Sequence, residues 1–146
     1  MDNLDHGILD LLRENSRASY GDIGEVIGLS ASAVKRRVDR LVADKVIRSF
    51  TIQIDPAVEG KATEAYVEVF CRGTVSPDDL RKILAAVPDV VDAGTVTGSA
   101  DAMVHMRSRD ISSLEVALER VRNAPNVEST RSQIVLSKLI HRPYDV

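Results

Sequence analysis

Six basic side chains between Lys35 and Arg48 form the part of this 146-residue sequence with the clearest chemical use. Only two acidic residues share that segment, whereas residues 1–34 carry six acidic side chains against two basic ones. The whole chain has a net charge of −3, so it would attract an anionic partner only locally. A basic stripe on an otherwise acidic chain suits contacts with a few DNA phosphates, and it is also typical of a solvated helix face.

Three short helical patterns lie in the first part of the chain, and the third contains the start of the basic stripe. Apolar side chains recur in them at helical spacing: Leu4, Ile8, Leu11 and Leu12, then Ile23, Val26 and Ile27, then Val34, Val38 and Leu41. Gly28 suits a left-handed C-cap, Ser30 suits an N-cap, and Leu29 would fill the corner between the second and third helices. A turn of three residues between short helices predicts a helix-turn-helix.

The third helix would present the basic residues to DNA. With Val34 at the centre of its buried face, a turn of about 100° per residue places Arg36 on the opposite side. Arginine can read guanine edges in the major groove, while serine and lysine can contact phosphates. We therefore expect double-stranded DNA to be bound by Ser30, Ser32, Lys35, Arg36, Arg37 and Arg40. Arg37 lies beside the buried stripe, so an ion pair with another helix is at least as good an interpretation of that residue as a DNA contact.

The apolar pattern changes to period two after Lys45. Four side chains predict a strand that leaves the helical region: Ile47, Phe50, Ile52 and Ile54. Asp55-Pro56 and Gly60 then interrupt the pattern and indicate a boundary. We expect a helix-turn-helix domain with its linking strand over residues 1–62 and a second domain over residues 63–146.

The second domain shows the order strand, helix, strand, strand, helix, strand. The predicted strands cover residues 63–71, 90–97, 102–107 and 127–140, and the helices begin after the N-caps Ser76 and Asp110. Val87-Pro88 and Ala124-Pro125 repeat at an offset of 37 residues within this order. A repeated strand–helix–strand unit predicts a ferredoxin-like βαββαβ domain, so the fold class is α+β. One sheet face would stay bare, and we expect a second subunit to cover it.

These motifs, in this order, resemble the Lrp/AsnC (feast/famine) family of transcriptional regulators. In the first domain the resemblance rests on Leu4-Asp5, Ile8-Leu9, Gly28-Leu29-Ser30, Val34, Arg37-Val38, Arg40-Leu41 and Val46-Ile47. Ile54-Asp55-Pro56 resembles the strand that links the two domains of the family. The segment Val96-Thr97-Gly98-Ser99-Ala100-Asp101 resembles its effector loop.

The resemblance implies a winged helix-turn-helix and a sensing domain that dimerises through its sheet. It further implies homodimers that assemble into tetramers or octamers, bind an amino-acid effector and control genes of amino-acid metabolism. The effector contacts carried over to this chain are Gly98, Ser99 and Asp101, with Ser132 as a weaker candidate. Loop N–H groups would hold the α-carboxylate and Asp101 the α-ammonium. Without the resemblance, the same loop reads as a strand–turn–strand corner with glycine for the turn and aspartate as a cap.

One residue departs from the family pattern, because Ala102 stands where the family usually has an aromatic side chain. If that ring shapes the effector pocket, a different or larger ligand is expected, so the identity of the effector stays open.

The remaining residues do not favour catalysis. His6, His105 and His141 lack the spacing of a metal site, and Cys71 ends an apolar strand without a basic partner. There is no phosphate-binding glycine loop, and with only five aromatic residues a stacking platform for single strands is not expected. We expect no enzyme activity, no metal and no cofactor, and a cytoplasmic protein without a membrane segment. An architectural DNA-wrapping protein and an amino-acid-binding enzyme subunit are the alternatives.

Overall fold

Three short helices build the first part of the chain in the computed structural model, which describes residues 1–140. They are α1 Asn3–Glu14, α2 Tyr20–Ile27 and α3 Ala31–Ala43. Ser30 caps α3 by accepting the backbone N–H of Ala33, and α2 ends at Gly28, whose φ is 76°. The predicted helices and both cap residues of the tight turn are therefore confirmed. His141 and the end of the predicted second domain lie outside the described residues.

A small apolar core holds these three helices together within the compact unit Met1–Gln53. Its buried side chains are Ile8, Leu12, Ile23, Val34, Val38 and Leu41. Val26 was expected in this core, and that expectation was wrong, because its side chain is 69% exposed. The buried side of α2 is centred on Ile23 and Gly24, with Ile27 partly buried beside them. Because Ile23 and Gly24 face the core, the side chain of Val26 points to solvent.

The predicted linking strand is absent from the described chain, which is a correction. Residues 48–55 form no strand, and Phe50, Ile52 and Ile54 are exposed. Alternating side chains are insufficient for a strand, because its backbone groups need a neighbouring strand as hydrogen-bond partner. The part of the chain that the structure describes supplies no such partner to this segment.

The second compact unit, Ile54–Ile140, contains a four-stranded antiparallel sheet with two helices. In chain order its elements are β1 Thr63–Cys71, α4 Pro77–Ala85, β2 Val90–Thr95, β3 Ala102–Ser108, α5 Ile111–Arg122 and β4 Val127–Ile134. The strand order is β2-β3-β1-β4, and every neighbouring pair is antiparallel. The predicted ferredoxin-like βαββαβ order in an α+β chain is therefore confirmed.

Two strands end earlier than predicted. β2 ends at Thr95, because the chain turns there and the Val96 N–H donates to the Asp101 carbonyl. β4 ends at Ile134 instead of residue 140. Ile134 pairs with Ala65 and the Val135 N–H reaches the Glu64 carbonyl, so little of β1 remains as a partner beyond that point.

The helices α4 and α5 cover one face of the sheet. Ala65, Val67 and Val69 of β1 are fully buried there against the apolar sides of both helices. The alternate side chains of β1, including Tyr66 and Phe70, point to the opposite face, where Tyr66 is exposed. Coverage of that face by a second subunit stays a prediction. None of the helices in residues 1–140 has the length and apolar character needed to cross a membrane.

Candidate nucleic-acid interface and effector loop

The outer side of α3 brings four of the predicted DNA-binding residues together. Ser30, Ser32, Lys35 and Arg36 are all exposed, whereas Val34 and Val38 on the opposite side are buried. The Ser30 hydroxyl caps the helix at 3.2 Å from the Ala33 nitrogen and lies 3.1 Å from the Ser32 hydroxyl. The helix therefore presents hydroxyls at its N-terminus, where backbone N–H groups also favour an anion such as a phosphate.

Lys35 and Arg36 differ in how much of their charge is already paired. Lys35 Nζ lies 2.5 Å from Asp39 Oδ2 one turn along, and this hydrogen bond raises the pKa of Lys35. Among the described residues, no carboxylate lies within ion-pair distance of Arg36. Arg36 also lines an open depression of about 390 Å³ together with Leu29 and Ala33. Arg36 is thus the basic residue of α3 best placed to pair with an outside anion.

Arg37 and Arg40 reach back to the start of α1. Arg37 Nη1 donates to Asp5 Oδ1 at 2.8 Å and to Asp2 Oδ2 at 2.8 Å, and Arg40 Nη2 donates to both oxygens of Asp5 at 2.8 Å. The Arg37 side chain is only 23% exposed. The structure thus shows the ion pair with another helix that was the alternative interpretation of Arg37. Arg37 and Arg40 line the same depression as Arg36.

Asp2 and Asp5, which form this cluster with Arg37 and Arg40, were not predicted from the sequence as site residues. Asp5 is fully buried, and the pKa of its carboxyl is lowered. Burial acts to raise that pKa, but the Asp2 N–H and the guanidinium groups of Arg37 and Arg40 outweigh it. A signal was present, because Asp5 lies three and seven residues before Ile8 and Leu12 on the buried side of α1. A carboxylate on a buried helix face requires a cation or several N–H donors.

The predicted effector loop lies between β2 and β3. Gly98 has a φ of 114°, in the region that favours glycine, and Gly98, Ser99 and Asp101 are exposed. Asp101 Oδ2 accepts the Cys71 backbone N–H at 2.7 Å, and the Asp101 N–H donates to the Val69 carbonyl at 2.9 Å. Asp101 therefore acts as a cap that joins the loop to the end of β1. This is the interpretation that the loop allows without any family resemblance.

Ser132 is not brought together with the loop in one chain. It lies on β4, exposed, and pairs with Val67 of β1. β4 and the loop lie on opposite sides of β1 in the sheet, and no hydrogen bond among the described residues joins Ser132 to Gly98, Ser99 or Asp101. Ser132 can contact the same effector as the loop only if the ligand, or a second subunit, bridges the space between β4 and the loop.

Ala102 belongs to the core of the second unit. It is 1% exposed and lies opposite Val69 of β1 and Thr95 of β2. It packs in the same cluster as Leu80 and Leu84 of α4. Ala102 therefore belongs to the packing between the sheet and its helices, directly next to the loop that ends at Asp101.

The histidine and cysteine that the structure describes in the second unit have structural partners. His105 Nε2 contacts the Glu64 carboxylate, and its ring stacks on Tyr66 with 4.8 Å between centroids. Cys71 is partly buried, and burial together with the nearby Asp101 raises the pKa of its thiol. Within residues 1–140, His, Cys, Asp and Glu side chains form no group of three that could hold a metal ion.

Both domains match described families. Residues 1–42 match the AsnC-type helix-turn-helix domain, and residues 64–145 match the Lrp/AsnC ligand binding domain. The chain is 47% identical over 142 residues to the HTH-type transcriptional regulator Rv2324 of Mycobacterium tuberculosis, covering 97% of this chain and 96% of that protein.

Solved structures are also similar to this chain. E. coli AsnC is similar with a TM-score of 0.86 and 26% identity, covering 98% of this chain and 97% of that one. The feast or famine regulatory protein Rv3291c from M. tuberculosis, complexed with L-methionine, has a TM-score of 0.86 and 29% identity, covering 96% and 95% of the two chains.

Proposed function

The chain belongs to the Lrp/AsnC family of transcriptional regulators, and from this membership we propose that it binds double-stranded DNA sequence-specifically through α3. We propose further that a small amino acid changes its assembly or its DNA affinity. The protein is a regulator and not an enzyme.

Arg36 on α3 carries the DNA-binding proposal, because it is exposed and has no ion-pair partner among the described residues. Its neighbours Arg37 and Arg40 are engaged by Asp5, and Lys35 is paired with Asp39. Arg36 therefore supplies a guanidinium that can read a guanine edge, while Ser30 and Ser32 contact phosphate at the N-terminus of the helix. In a homodimer, two such helices would reach half-sites about one helical turn, or roughly 34 Å, apart.

The effector proposal rests on the Gly98–Asp101 loop. Gly98 leaves the backbone open to close approach, since a Cβ built there would meet no atom within 4 Å. Asp101 uses Oδ2 for the Cys71 N–H, and no described donor occupies Oδ1, which leaves one oxygen for an α-ammonium group. The solved complex of the feast or famine regulatory protein with L-methionine supports an amino acid as the effector class.

Regulation would act through assembly, because the proposed DNA and effector contacts lie on different domains. Dimers would join into tetramers or octamers, and an amino acid held between dimers would favour one arrangement over another. Such a coupling amounts to about 1–3 kcal/mol, or a change of roughly 5–150-fold in affinity. The genes of amino-acid metabolism are the expected targets.

The test is fluorescence anisotropy with a duplex from upstream of the protein's own gene, against a random duplex of equal length. Titrations near physiological salt suppress non-specific phosphate binding, and each is repeated with single amino acids. Selective binding that one amino acid alters is the expected result. Equal affinity for both duplexes would contradict the DNA proposal.

A second candidate function, DNA wrapping without an effector, is favoured by one observation. Asp101 already caps the end of β1, so the loop has a structural role that needs no ligand. Selective DNA binding that no amino acid changes, with an assembly state that is equally insensitive, would support this candidate and overturn the effector proposal.

A further inference from the structure

We propose that Asp5 of α1 is a positioning residue for DNA recognition. It holds Arg37 and Arg40 in place, so that α3 binds DNA through correctly oriented side chains and not through the attraction of unpaired positive charge to any phosphate. This inference rests on the proposed DNA-binding function of α3 and deepens it. Asp5 itself is fully buried and would not touch DNA.

The Asp5 carboxylate is saturated by donors from both helices. Oδ1 accepts from Arg37 Nη1 and Arg40 Nη2, each at 2.8 Å. Oδ2 accepts from Arg40 Nη2 at 2.8 Å and from the Asp2 backbone N–H at 3.0 Å. The Asp2 carboxylate in turn accepts from Arg37 Nη1 and from the Asp5 N–H. A single buried group thus ties the first turn of α1 to two successive turns of α3.

This arrangement constrains the rotation of α3 about its own axis, in addition to the burial of Val34, Val38 and Leu41. Arg37 and Arg40 are three residues apart, so their side chains leave the helix on neighbouring positions and converge on one carboxylate. A buried carboxylate without its cations is strongly disfavoured, so both arginines are held together. With the rotation fixed, Arg36 and Ser32 are kept on the outer side of the helix.

The same cluster removes free positive charge from the neighbourhood of α3. Two aspartates and two arginines carry no net charge together, although Arg40 remains 53% exposed. Within residues 1–140, Arg40 donates through Nη2 alone, so the rest of its guanidinium can contact a phosphate once the helix is aligned. Random DNA, which attracts any free cation, would then gain less from these arginines than an aligned binding site does.

The first test is Asp5→Asn in the full chain, which keeps the size of the side chain and removes its charge. The two duplexes are the one from upstream of the protein's own gene and a random one of equal length, titrated from low to physiological salt. Asp5→Asn is expected to tighten random binding and to make its salt slope steeper by about 0.9, the value for one additional phosphate contact. Upstream binding is expected to weaken, so that the ratio of the two affinities falls at least about tenfold.

The matched control is Asp10→Asn, which removes the same charge from the same helix. Asp10 is exposed, and its partner is Arg13 of α1 at 3.4 Å, so α3 is not involved. In Asp10→Asn, the ratio of the affinities for the upstream and random duplexes is expected to stay at the wild-type value. An equal change in Asp10→Asn and Asp5→Asn would overturn the proposal, because net charge alone would then explain the effect.

Folding is checked by circular dichroism and by the assembly state. A folded Asp5→Asn that weakens both duplexes in proportion, or changes neither, overturns the positioning role. If Asp5→Asn fails to fold, Arg40→Gln decides, since Asp5 keeps Arg37 as its cation. Arg40→Gln is expected to bind the upstream duplex more weakly and with a shallower dependence of affinity on salt. Unchanged affinity of Arg40→Gln for the upstream duplex overturns the proposal. A wild-type chain that does not prefer the upstream duplex contradicts the proposed function instead.

Discussion

The Asp101 carboxylate accepts the backbone N–H of Cys71 at 2.7 Å, which joins the Gly98–Asp101 loop to the last residue of β1. At that point β1 changes its pairing with β4, between Phe70 and Cys71. A ligand that draws Asp101 away from Cys71 would therefore disturb a place where the sheet is already irregular. A change in the loop caused by the proposed effector would therefore reach the sheet of its domain.

Two substitutions at Asp101 separate the cap from the ligand contact. Asp101→Asn keeps an oxygen for the Cys71 N–H and loses the charge, whereas Asp101→Ala loses both. A charge-assisted hydrogen bond is worth about 1.5–3 kcal/mol, so Asp101→Asn should weaken amino-acid binding by roughly tenfold or more with little loss of stability. Calorimetric titration and thermal unfolding measure the two effects, and undiminished amino-acid affinity in Asp101→Asn would contradict the ammonium contact.

Gly98→Ala tests the backbone conformation of the loop. The φ of 114° is one that side chains with a Cβ rarely adopt, so the substitution should cost about 1–3 kcal/mol of stability or reshape the loop. Gly94→Ala in β2 is the control, because its Cβ would meet no atom within 4 Å and no positive φ applies. Its free energy of unfolding should stay within about 0.5 kcal/mol of wild type. Equal stability of the two variants would indicate that the loop is not strained by a side chain.

Arg36→Ala tests the base-reading role of α3. Loss of a bidentate contact to guanine costs about 1–3 kcal/mol, so binding to the upstream duplex should weaken roughly 5–150-fold while random binding changes less. Arg81→Ala on α4 is the control, since Arg81 is also an exposed helical arginine and belongs to the other domain. Upstream binding that survives Arg36→Ala unchanged would count against α3 as the reader.

The parts of the fold that local chemistry determines were predictable. Ser30 and Gly28 mark helix ends through their own side chain or backbone, and the confirmed turn follows from them. The linking strand and the end of β4 were not predictable, because a strand exists only where a partner strand continues. The sequence shows alternation at Phe50 and Ile52 but does not show that the described chain has no strand to pair with them.

The candidate DNA-binding site was likewise predictable only in part. Exposure of Lys35 and Arg36 follows from helical periodicity around Val34, and the structure places both side chains outward. The partner of Arg37 and Arg40 does not follow, because Asp5 is 32 residues from Arg37 and 35 from Arg40 in the chain. Only the packing of α1 against α3 brings these groups together, so tertiary structure decides which arginines remain free.

The free energy of unfolding should depend on pH in the acid range, because the contact between α1 and α3 involves ionised carboxylates. The Arg37 guanidinium beside Asp2 lowers the pKa of that carboxyl to about 2, and the pKa of Asp5 is also lowered. Carboxyls with a lower pKa in the folded state stabilise it above their ordinary pKa, which is about 4. That stabilisation is lost as the pH falls through the lower, folded-state values. Wild-type stability should therefore decline from about pH 4 towards pH 2.

Asp5→Asn should remove part of this decline. The variant should be less stable than wild type at pH 6, since Arg37 and Arg40 lose their buried partner, and the difference should shrink as the pH falls towards 2. Thermal unfolding followed by circular dichroism over this range measures both curves. Asp10→Asn should run parallel to wild type, because Asp10 makes only an exposed contact within α1. A gap between wild type and Asp5→Asn that stays constant down to the lowest pH would show that Asp5 does not depend on its charge to join α1 to α3.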